Sequence, residues 1–432
     1  MRLFLPSLVL VACTRPRPCA LPEPELVEQP NLLVVLIDDA GVDQYAPWGV
    51  APDPAPAPTM DCLCEAGLRF DRAWASPYCS PARAALISGK HPRRYDLGRY
   101  VNVAQDTWEL PLEEISLAEG VEAAGYSTAF LGKWHISAFN SATSFGHPEA
   151  QGFDIFSGTL GNLNHRSLSE DVGSYEEWEH IYGDTPFPRR GYATSALIDD
   201  TLEVLDTLPE PWLVVVALHA PHRPLHVPPR HLLSEPLGAD PSELEQFQAM
   251  VEAADTEVGR LLAEMEPGVL SRTQIWTLSD NGTPSHGIAP PLDPRRGKGT
   301  VFEGGLRVPV VVTGAGVQAV GGSTDALVSI VDLFPTLLAA AGAPVLPSDG
   351  ASLLPLLADP TLDHHDVLYG DLTGGEGRVV RAVRTVQGKL VQQDGAEIAY
   401  TLGEGLEEEQ APEPEAGLHE AMEAFIAAYQ AE

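Results

Sequence analysis

Six short stretches hold the residues able to do chemistry: Asp38-Asp39, Cys79 with Arg83, Lys133 with His135, His219 with His222, Asp280-Asn281, and Lys298. Cys79 opens the run Cys-Ser-Pro-Ala-Arg-Ala-Ala-Leu-Ile-Ser-Gly. Ser80 as N-cap, Pro81 at the first helical position and Gly89 as the stop predict a short helix here. A helix N-terminus carries free N–H groups and the positive end of the macrodipole, so it seats a tetrahedral oxyanion. Arg83, one turn on, can aim a guanidinium at the same anion. Alone, such a cysteine reads as a buried or disulfide-bonded thiol; its company decides.

That company must be positioned by strands. Asn31-Leu-Leu-Val-Val-Leu-Ile37 is a continuous apolar run, as expected of a parallel strand buried on both faces, and it ends in Asp38-Asp39. Adjacent carboxylates at a buried strand end repel each other unless a positive charge, typically a hard divalent cation, sits between them. Ser127 to Leu131 is a short strand running into Gly132-Lys133-Trp134-His135; kept extended, it would place Lys133 and His135 on one face. Pro211 to Leu218 is another buried strand, followed by His219-Ala-Pro-His222-Arg-Pro, whose prolines fix a rigid turn that presents the histidines. Thr273 to Leu278 ends in Ser-Asp280-Asn281-Gly, again oxygen ligands at a strand end. Lys298 lies in a Pro/Gly-rich loop before Val310-Val-Val resumes the sheet. Helices are expected over Ser116–Ala124, Tyr192–Leu208, Pro241–Glu264 and Ser329–Ala341, the last interrupted near Pro335, and residues 140–190 read as long loops with short helices. In a doubly wound sheet the carboxyl ends of parallel strands gather at one edge, so these scattered residues can meet.

The expected fold is therefore α/β: a large, mixed, mostly parallel sheet sandwiched by helices. After about residue 365 the pattern changes to short antiparallel strands, an acidic loop and a last helix from Leu418 to Tyr429, a small C-terminal antiparallel-sheet-plus-helix subdomain. The boundaries expected are a catalytic domain over 31–364 and the subdomain over 365–432.

The blocks Leu-Ile-Asp-Asp-Ala-Gly, Cys-Ser-Pro-Ala-Arg, Gly-Lys-Trp-His, Ala-Pro-His-Arg-Pro, Ser-Asp-Asn-Gly and Gly-Lys-Gly-Thr-Val-Phe-Glu-Gly-Gly-Leu-Arg-Val-Pro, in this order, resemble those of the sulfatase family of the alkaline phosphatase superfamily. Ala82 and Ser88 stand where that family more often has Ser and Thr. The resemblance implies hydrolysis of sulfate esters by a formylglycine made from Cys79 by a formylglycine-generating enzyme, whose hydrated aldehyde is the nucleophile. It implies a calcium ion (Ca2+) bound by Asp38, Asp39, Asp280 and Asn281 together with residue 79. It also implies that Arg83, Lys133, His135, His222 and Lys298 hold or activate the sulfate of a sulfated small molecule or glycan. Two other readings stay open: a phosphodiesterase or phosphonate monoester hydrolase of the same superfamily, and a surface lipoprotein that binds sulfated glycans without turnover.

Composition sets the bounds. The 432 residues include 26 basic and 61 acidic side chains, a net charge of −35, which argues against nucleic-acid partners and against electrostatic attachment to anionic lipid. An anionic substrate would need a locally positive pocket. Met1-Arg2 and the apolar run to Ala12 are too short to span a bilayer and read as an export signal over 1–12. Leu10-Val11-Ala12-Cys13 resembles a bacterial lipobox, so Cys13 is expected to carry the lipid of an envelope lipoprotein with residues 13–30 as its tether; simple signal-peptidase cleavage is the alternative. Cys19, Cys62 and Cys64 leave a disulfide permitted in an exported protein, with its pairing open.

Overall fold

The computed structural model describes residues 21–167, 173–374 and 377–430. The expected signal segment 1–12, the lipobox Cys13 and Cys19 lie outside the described residues. Ten strands form one sheet: β1 (Asn31–Ile37), β2 (Gly67–Trp74), β3 (Ser127–Lys133), β4 (Ile155–Thr159), β5 (Glu177–Tyr182), β6 (Thr185–Arg190), β7 (Trp212–Ala217), β8 (Thr273–Ser279), β9 (Val310–Gly314) and β10 (Gly322–Ser329). Their spatial order is β10-β2-β9-β8-β1-β7-β3-β4-β5-β6. The middle of the sheet, β8-β1-β7-β3-β4, is parallel throughout. Antiparallel pairs appear outside it, at β8–β9, β9–β2, β4–β5 and β5–β6, while β10 pairs parallel with β2.

The period of two along a strand divides the core. From β1, Leu32, Val34 and Leu36 face one apolar cluster, which also holds Ala84 to Ile87 and Leu333, Phe334, Leu337 and Leu338. Leu33, Val35 and Ile37 face the other, with Met60, Ile198, Met250 and Leu261. Helices Cys79–Ser88, Leu117–Glu122 and Leu333–Ala340 thus cover one face, and Pro58–Ala66, Ala193–Leu205 and Glu243–Glu264 the other. Two of these begin on full capping boxes, Ser116 with Glu119 and Ser242 with Glu245. Pro335 does not interrupt its helix; it sits in the first turn, where its missing N–H leaves no bond unmade. The 140–190 stretch holds β4, β5 and β6 rather than loops with short helices alone, β6 being held as the sheet's edge by its antiparallel pairing with β5.

A second, antiparallel sheet runs β11 (Leu368–Thr373), β12 (Val379–Arg384), β13 (Gly388–Gln393), β14 (Ala396–Leu402) and β15 (Glu408–Ala411) in spatial order. Leu418, Met422 and Phe425 of the last helix pack on Val383, Leu390 and Ala399. The opposite face, with Leu372, Ala382 and Val391, packs on Trp74, Val301 and Leu306 of the main body. Among the described residues no helix is long and apolar enough to cross a membrane.

Candidate active site

Four adjacent parallel strands deliver the site. β1 ends at Ile37, one residue before Asp38; β8 ends at Ser279, one residue before Asp280; β3 ends on Lys133 itself; β7 ends at Ala217, five residues before His222. Because these strands lie side by side as β8-β1-β7-β3, their carboxyl ends form one contiguous edge. Asp39 takes φ of +76°, a left-handed turn that folds the second carboxylate back beside the first. The Asp39 N–H donates to Asp280 Oδ1 at 3.3 Å and the Asp280 N–H to the Ile37 carbonyl at 3.1 Å, which locks the two strand ends together.

Cys79 arrives on the helix Cys79–Ser88. The helix starts at Cys79 and not after Ser80, so Ser80 is not its N-cap: its hydroxyl accepts the Val101 N–H at 2.9 Å instead, pinning the following loop. The thiol is buried and donates to Asp38 Oδ1 at 3.2 Å, with Asp39 Oδ1 at 3.9 Å and the Lys298 ammonium at 3.2 Å from the sulfur. Arg83 spans the floor of the site. Its Nε and Nη2 lie 3.0 and 2.8 Å from Asp280 Oδ2, and Nη1 donates to the Lys133 carbonyl. Lys133 Nζ donates to Asp38 Oδ2 and Lys298 Nζ to Asp39 Oδ1. Donor atoms of Asp38, Asp39, Cys79 and Asp280 all fall within 4.8 Å of one another.

Charge is balanced only locally. Burial works to raise the Asp38 carboxyl, but Lys133, His222, Arg83 and Lys298 outweigh it and hold it well below the usual range. Asp280 goes the other way, to about 6, through burial and repulsion from Asp38 despite Arg83. Burial alone would lower the Lys298 ammonium, but Asp39 and its neighbours carry it well above the lysine range. Burial, with Asp280 and Asp38 adding to it, pushes the Cys79 thiol well up, so the sulfur is a poor thiolate nucleophile as it stands.

The histidines divide by role. His222 donates through Nδ1 to the Arg223 carbonyl at 2.8 Å, leaving Nε2 3.9 Å from Asp39 Oδ2; burial lowers its pKa to about 4, so it is neutral near pH 7. His135 does not share an extended face with Lys133, because the strand stops at Lys133 and His135 turns to φ of +64°. Its Nε2 instead donates to the Val101 carbonyl at 3.0 Å and its buried Nδ1 has no hydrogen-bond partner, while burial and Lys133 hold the ring neutral. His219 is packed rather than presented. Thr159 spends its hydroxyl proton on the Gly161 carbonyl at 2.6 Å, so His219 Nε2–H must donate to Thr159 Oγ1 at 2.8 Å.

Two supports were not singled out from sequence. His165 sets its ring 6.0 Å from that of His135, tilted at 53° to it. Thr283 donates to Asp43 Oδ1 at 2.7 Å and accepts the Gly41 N–H at 3.0 Å, tying the loop after Asp39 to the loop after Asn281. Only the position of Thr283, two residues past Asp280-Asn281, hinted at this.

The residues suit a hard divalent cation. Three carboxylates crowd within 4.8 Å of one another with Cys79, one of them raised by burial and then by its neighbour Asp38; Asn281 adds an amide whose Nδ2 donates to Asp39 Oδ1 at 2.8 Å and whose buried Oδ1 has no hydrogen-bond partner. Oxygen donors in such a set are the chemistry calcium and magnesium take.

This edge gathers carboxylates, basic groups and a cysteine around one place, and the comparisons with known proteins say which class of enzyme it belongs to. The Sulfatase family model matches residues 30–343. The chain is 29% identical to arylsulfatase G of Rattus norvegicus over 83% of its length and 74% of that protein's, and 31% identical to arylsulfatase A of Bos taurus over 82% and 73%. A solved structure, Ps i-CgsB in complex with k-i-k-neocarrahexaose, superimposes with a TM-score of 0.75 at 25% identity, covering 86% of each chain. The chain belongs to the sulfatase family and is a sulfatase, an enzyme that hydrolyses sulfate esters.

Proposed function

We propose that the reaction runs at residue 79 after conversion of Cys79 to formylglycine, on the sulfate ester of a glycan or small molecule, with calcium held by Asp38, Asp39, Asp280 and Asn281. The observation that carries this reading is the meeting of Cys79 with three carboxylates inside 4.8 Å, ringed by Arg83, Lys133 and Lys298. A hydrated formylglycine supplies two geminal hydroxyls, one to attack sulfur and one to lose its proton so that sulfate leaves and the aldehyde returns. Calcium, when bound, supplies Lewis acidity toward the sulfate oxygens.

The chain's own groups do the rest. Lys133, Lys298 and Arg83 bring three positive charges to a buried place where a sulfate is recognised, in a protein whose bulk charge is −35. Lys298 is charged across the neutral range and stands 3.2 Å from the residue-79 side chain, so it can give a proton to the departing alkoxide. His222, neutral and with Nε2 unprotonated, can take the proton of the second hydroxyl. Tyr78 and Tyr100, their rings edge to face at 5.9 Å, offer an aromatic surface beside Cys79 for a sugar face or an aryl group.

The test is peptide mass spectrometry of residue 79 in protein made with a formylglycine-generating enzyme, paired with turnover of an aryl sulfate. An aldehyde at residue 79 and loss of turnover in Cys79→Ala are expected. Full activity with an intact Cys79 thiol would refute the mechanism, and faster hydrolysis of an aryl phosphodiester than of the sulfate would move the enzyme to the phosphodiesterase reading.

A further inference from the structure

The segment that carries Lys298 is held from outside the main sheet by a buried ionic network with no part in the chemistry above. Glu303, 2% exposed, is its centre. Its Oε2 accepts from Arg384 Nη1 at 2.5 Å and from Trp74 Nε1 at 3.3 Å, and its Oε1 lies 3.3 Å from the Lys389 ammonium. Lys389, fully buried, also donates to Glu408 Oε1 at 2.8 Å and sits 4.9 Å above the Trp74 ring. Glu408 closes the circuit by accepting the Glu303 backbone N–H on Oε2 at 3.0 Å. Arg384, Lys389 and Glu408 lie on β12, β13 and β15, so three strands of the second sheet grip one short helix of the main body. The grip extends on both sides, through Arg296 Nη1 to the Glu408 carbonyl at 2.9 Å and Arg307 Nη1 to the Glu404 and Gly405 carbonyls at 3.0 and 2.6 Å.

What the gripped segment touches gives the network its meaning. The Gly282 N–H, next to Asn281, donates to the Gly305 carbonyl at 3.1 Å, two residues from Glu303. The Lys298 N–H donates to the Thr283 carbonyl and the Gly299 N–H to the Pro77 carbonyl, both at 2.9 Å, joining the same segment to the loops that carry Asn281 and Cys79. Replacing buried charges by well-packed apolar residues is often neutral or stabilising, so stability is a weak reason for the network, and its contacts to the segment carrying Lys298 point instead to holding one geometry.

We infer that Lys389 and Glu408 of the second sheet are positioning residues for the sulfatase site, setting Lys298 and Asn281 through Glu303. This rests on the assignment of Lys298 and Asn281 to the site. The experiment compares Lys389→Met and Lys389→Arg with the parent, at equal aldehyde content and saturating calcium, for kcat, KM and calcium affinity. Lys389→Met should lose roughly tenfold or more in kcat with little change in KM and should bind calcium more weakly, since a shift of an ångström at a reacting group costs as much as a hundredfold. Lys389→Arg should recover most of that loss. If Lys389→Met fails to fold, Glu408→Gln, which keeps an acceptor for the Glu303 N–H, is read in the same way. A folded Lys389→Met or Glu408→Gln with parental kcat and calcium affinity overturns the inference. Parental turnover in Lys298→Ala would instead overturn the catalytic reading beneath it, so the two failures are distinguishable.

Discussion

Asp280 is where the site's charges are most closely coupled. It takes the Arg83 guanidinium on Oδ2 and the Asp39 N–H on Oδ1, at zero exposure and within 4.8 Å of two other carboxylates. Asp280→Ala removes a proposed oxygen ligand and takes from the buried Arg83 its nearest carboxylate, and breaking buried pairs elsewhere costs about 3–5 kcal/mol. Calcium affinity and aryl sulfate turnover should therefore fall together, and the upward shift of melting temperature that calcium should produce in the parent should largely vanish in the variant. If chelation changes neither activity nor melting temperature in the parent, the calcium assignment is wrong. Residue types were the legible part of this centre: adjacent aspartates after an apolar run, and the Cys-x-Pro-x-Arg spacing. Less legible were the local turns. Ser80 was expected to cap and His135 to share a face with Lys133, but the first residue spends its hydroxyl on Val101 and the second leaves the strand through a left-handed turn. Neither long-range partner can be read from local sequence.

Among the elements, the β8 strand end and the Glu303–Leu306 helix meet without side chains between them. A Cβ on Gly282 would stand 1.9 Å from the Gly304 carbonyl oxygen, a clash with backbone that no rotamer relieves. Gly282→Ala must therefore push the helix away from Asn281 and stretch the Gly282–Gly305 hydrogen bond. The expected outcome is a destabilised protein, by about 1–3 kcal/mol on the scale of overpacked interiors, with calcium binding weakened beyond what stability explains. Denaturant unfolding and calcium titration check it, and a Gly282→Ala protein with parental values for both would show that the contact is slack. The strands β1, β7 and β8 were legible because burial on both faces makes them continuous apolar runs, whereas β4 fell inside the stretch expected to be loops. Two others were not: β2 reads Gly-Leu-Arg-Phe-Asp-Arg-Ala-Trp, and β15 reads Glu-Glu-Gln-Ala inside an acidic stretch. Both owe their conformation to a neighbouring strand rather than to their own pattern, and tertiary pairing of this kind overrides propensity.

At the scale of the whole molecule, acid should act through buried neutral histidines. His135, His165, His180, His219 and His222 all have lowered pKa values, burial being the first cause in each. His180, 5% exposed and on β5 away from the carboxylate cluster, shows why protonation is unfavourable. Ser157 gives its proton to Asp200 Oδ2 at 3.1 Å, so its oxygen accepts His180 Nε2–H at 3.0 Å, while Trp178 Nε1–H donates to His180 Nδ1 at 3.4 Å. A proton added at Nδ1 would face the indole N–H, donor against donor. The folded pKa is about 4, whereas an unfolded histidine titrates at about 6.5. Between those values the unfolded chain binds more protons than the folded one, so stability is complete above the unfolded pKa and is lost as pH falls toward the folded one. Each such histidine removes about 1.4 kcal/mol per pH unit in that window. Asp255 and Asp280, raised by burial to about 7 and about 6, oppose this over the same window. Thermal unfolding from about pH 6.5 down to about 4.5 should show a falling melting temperature, and His180→Gln, with no imidazole to protonate, should fall less steeply, so that its deficit against the parent narrows with acid. Parallel curves for parent and His180→Gln would mean that His180 already carries its proton in the folded state, and with it the acid sensitivity would have to be sought among the carboxylates instead.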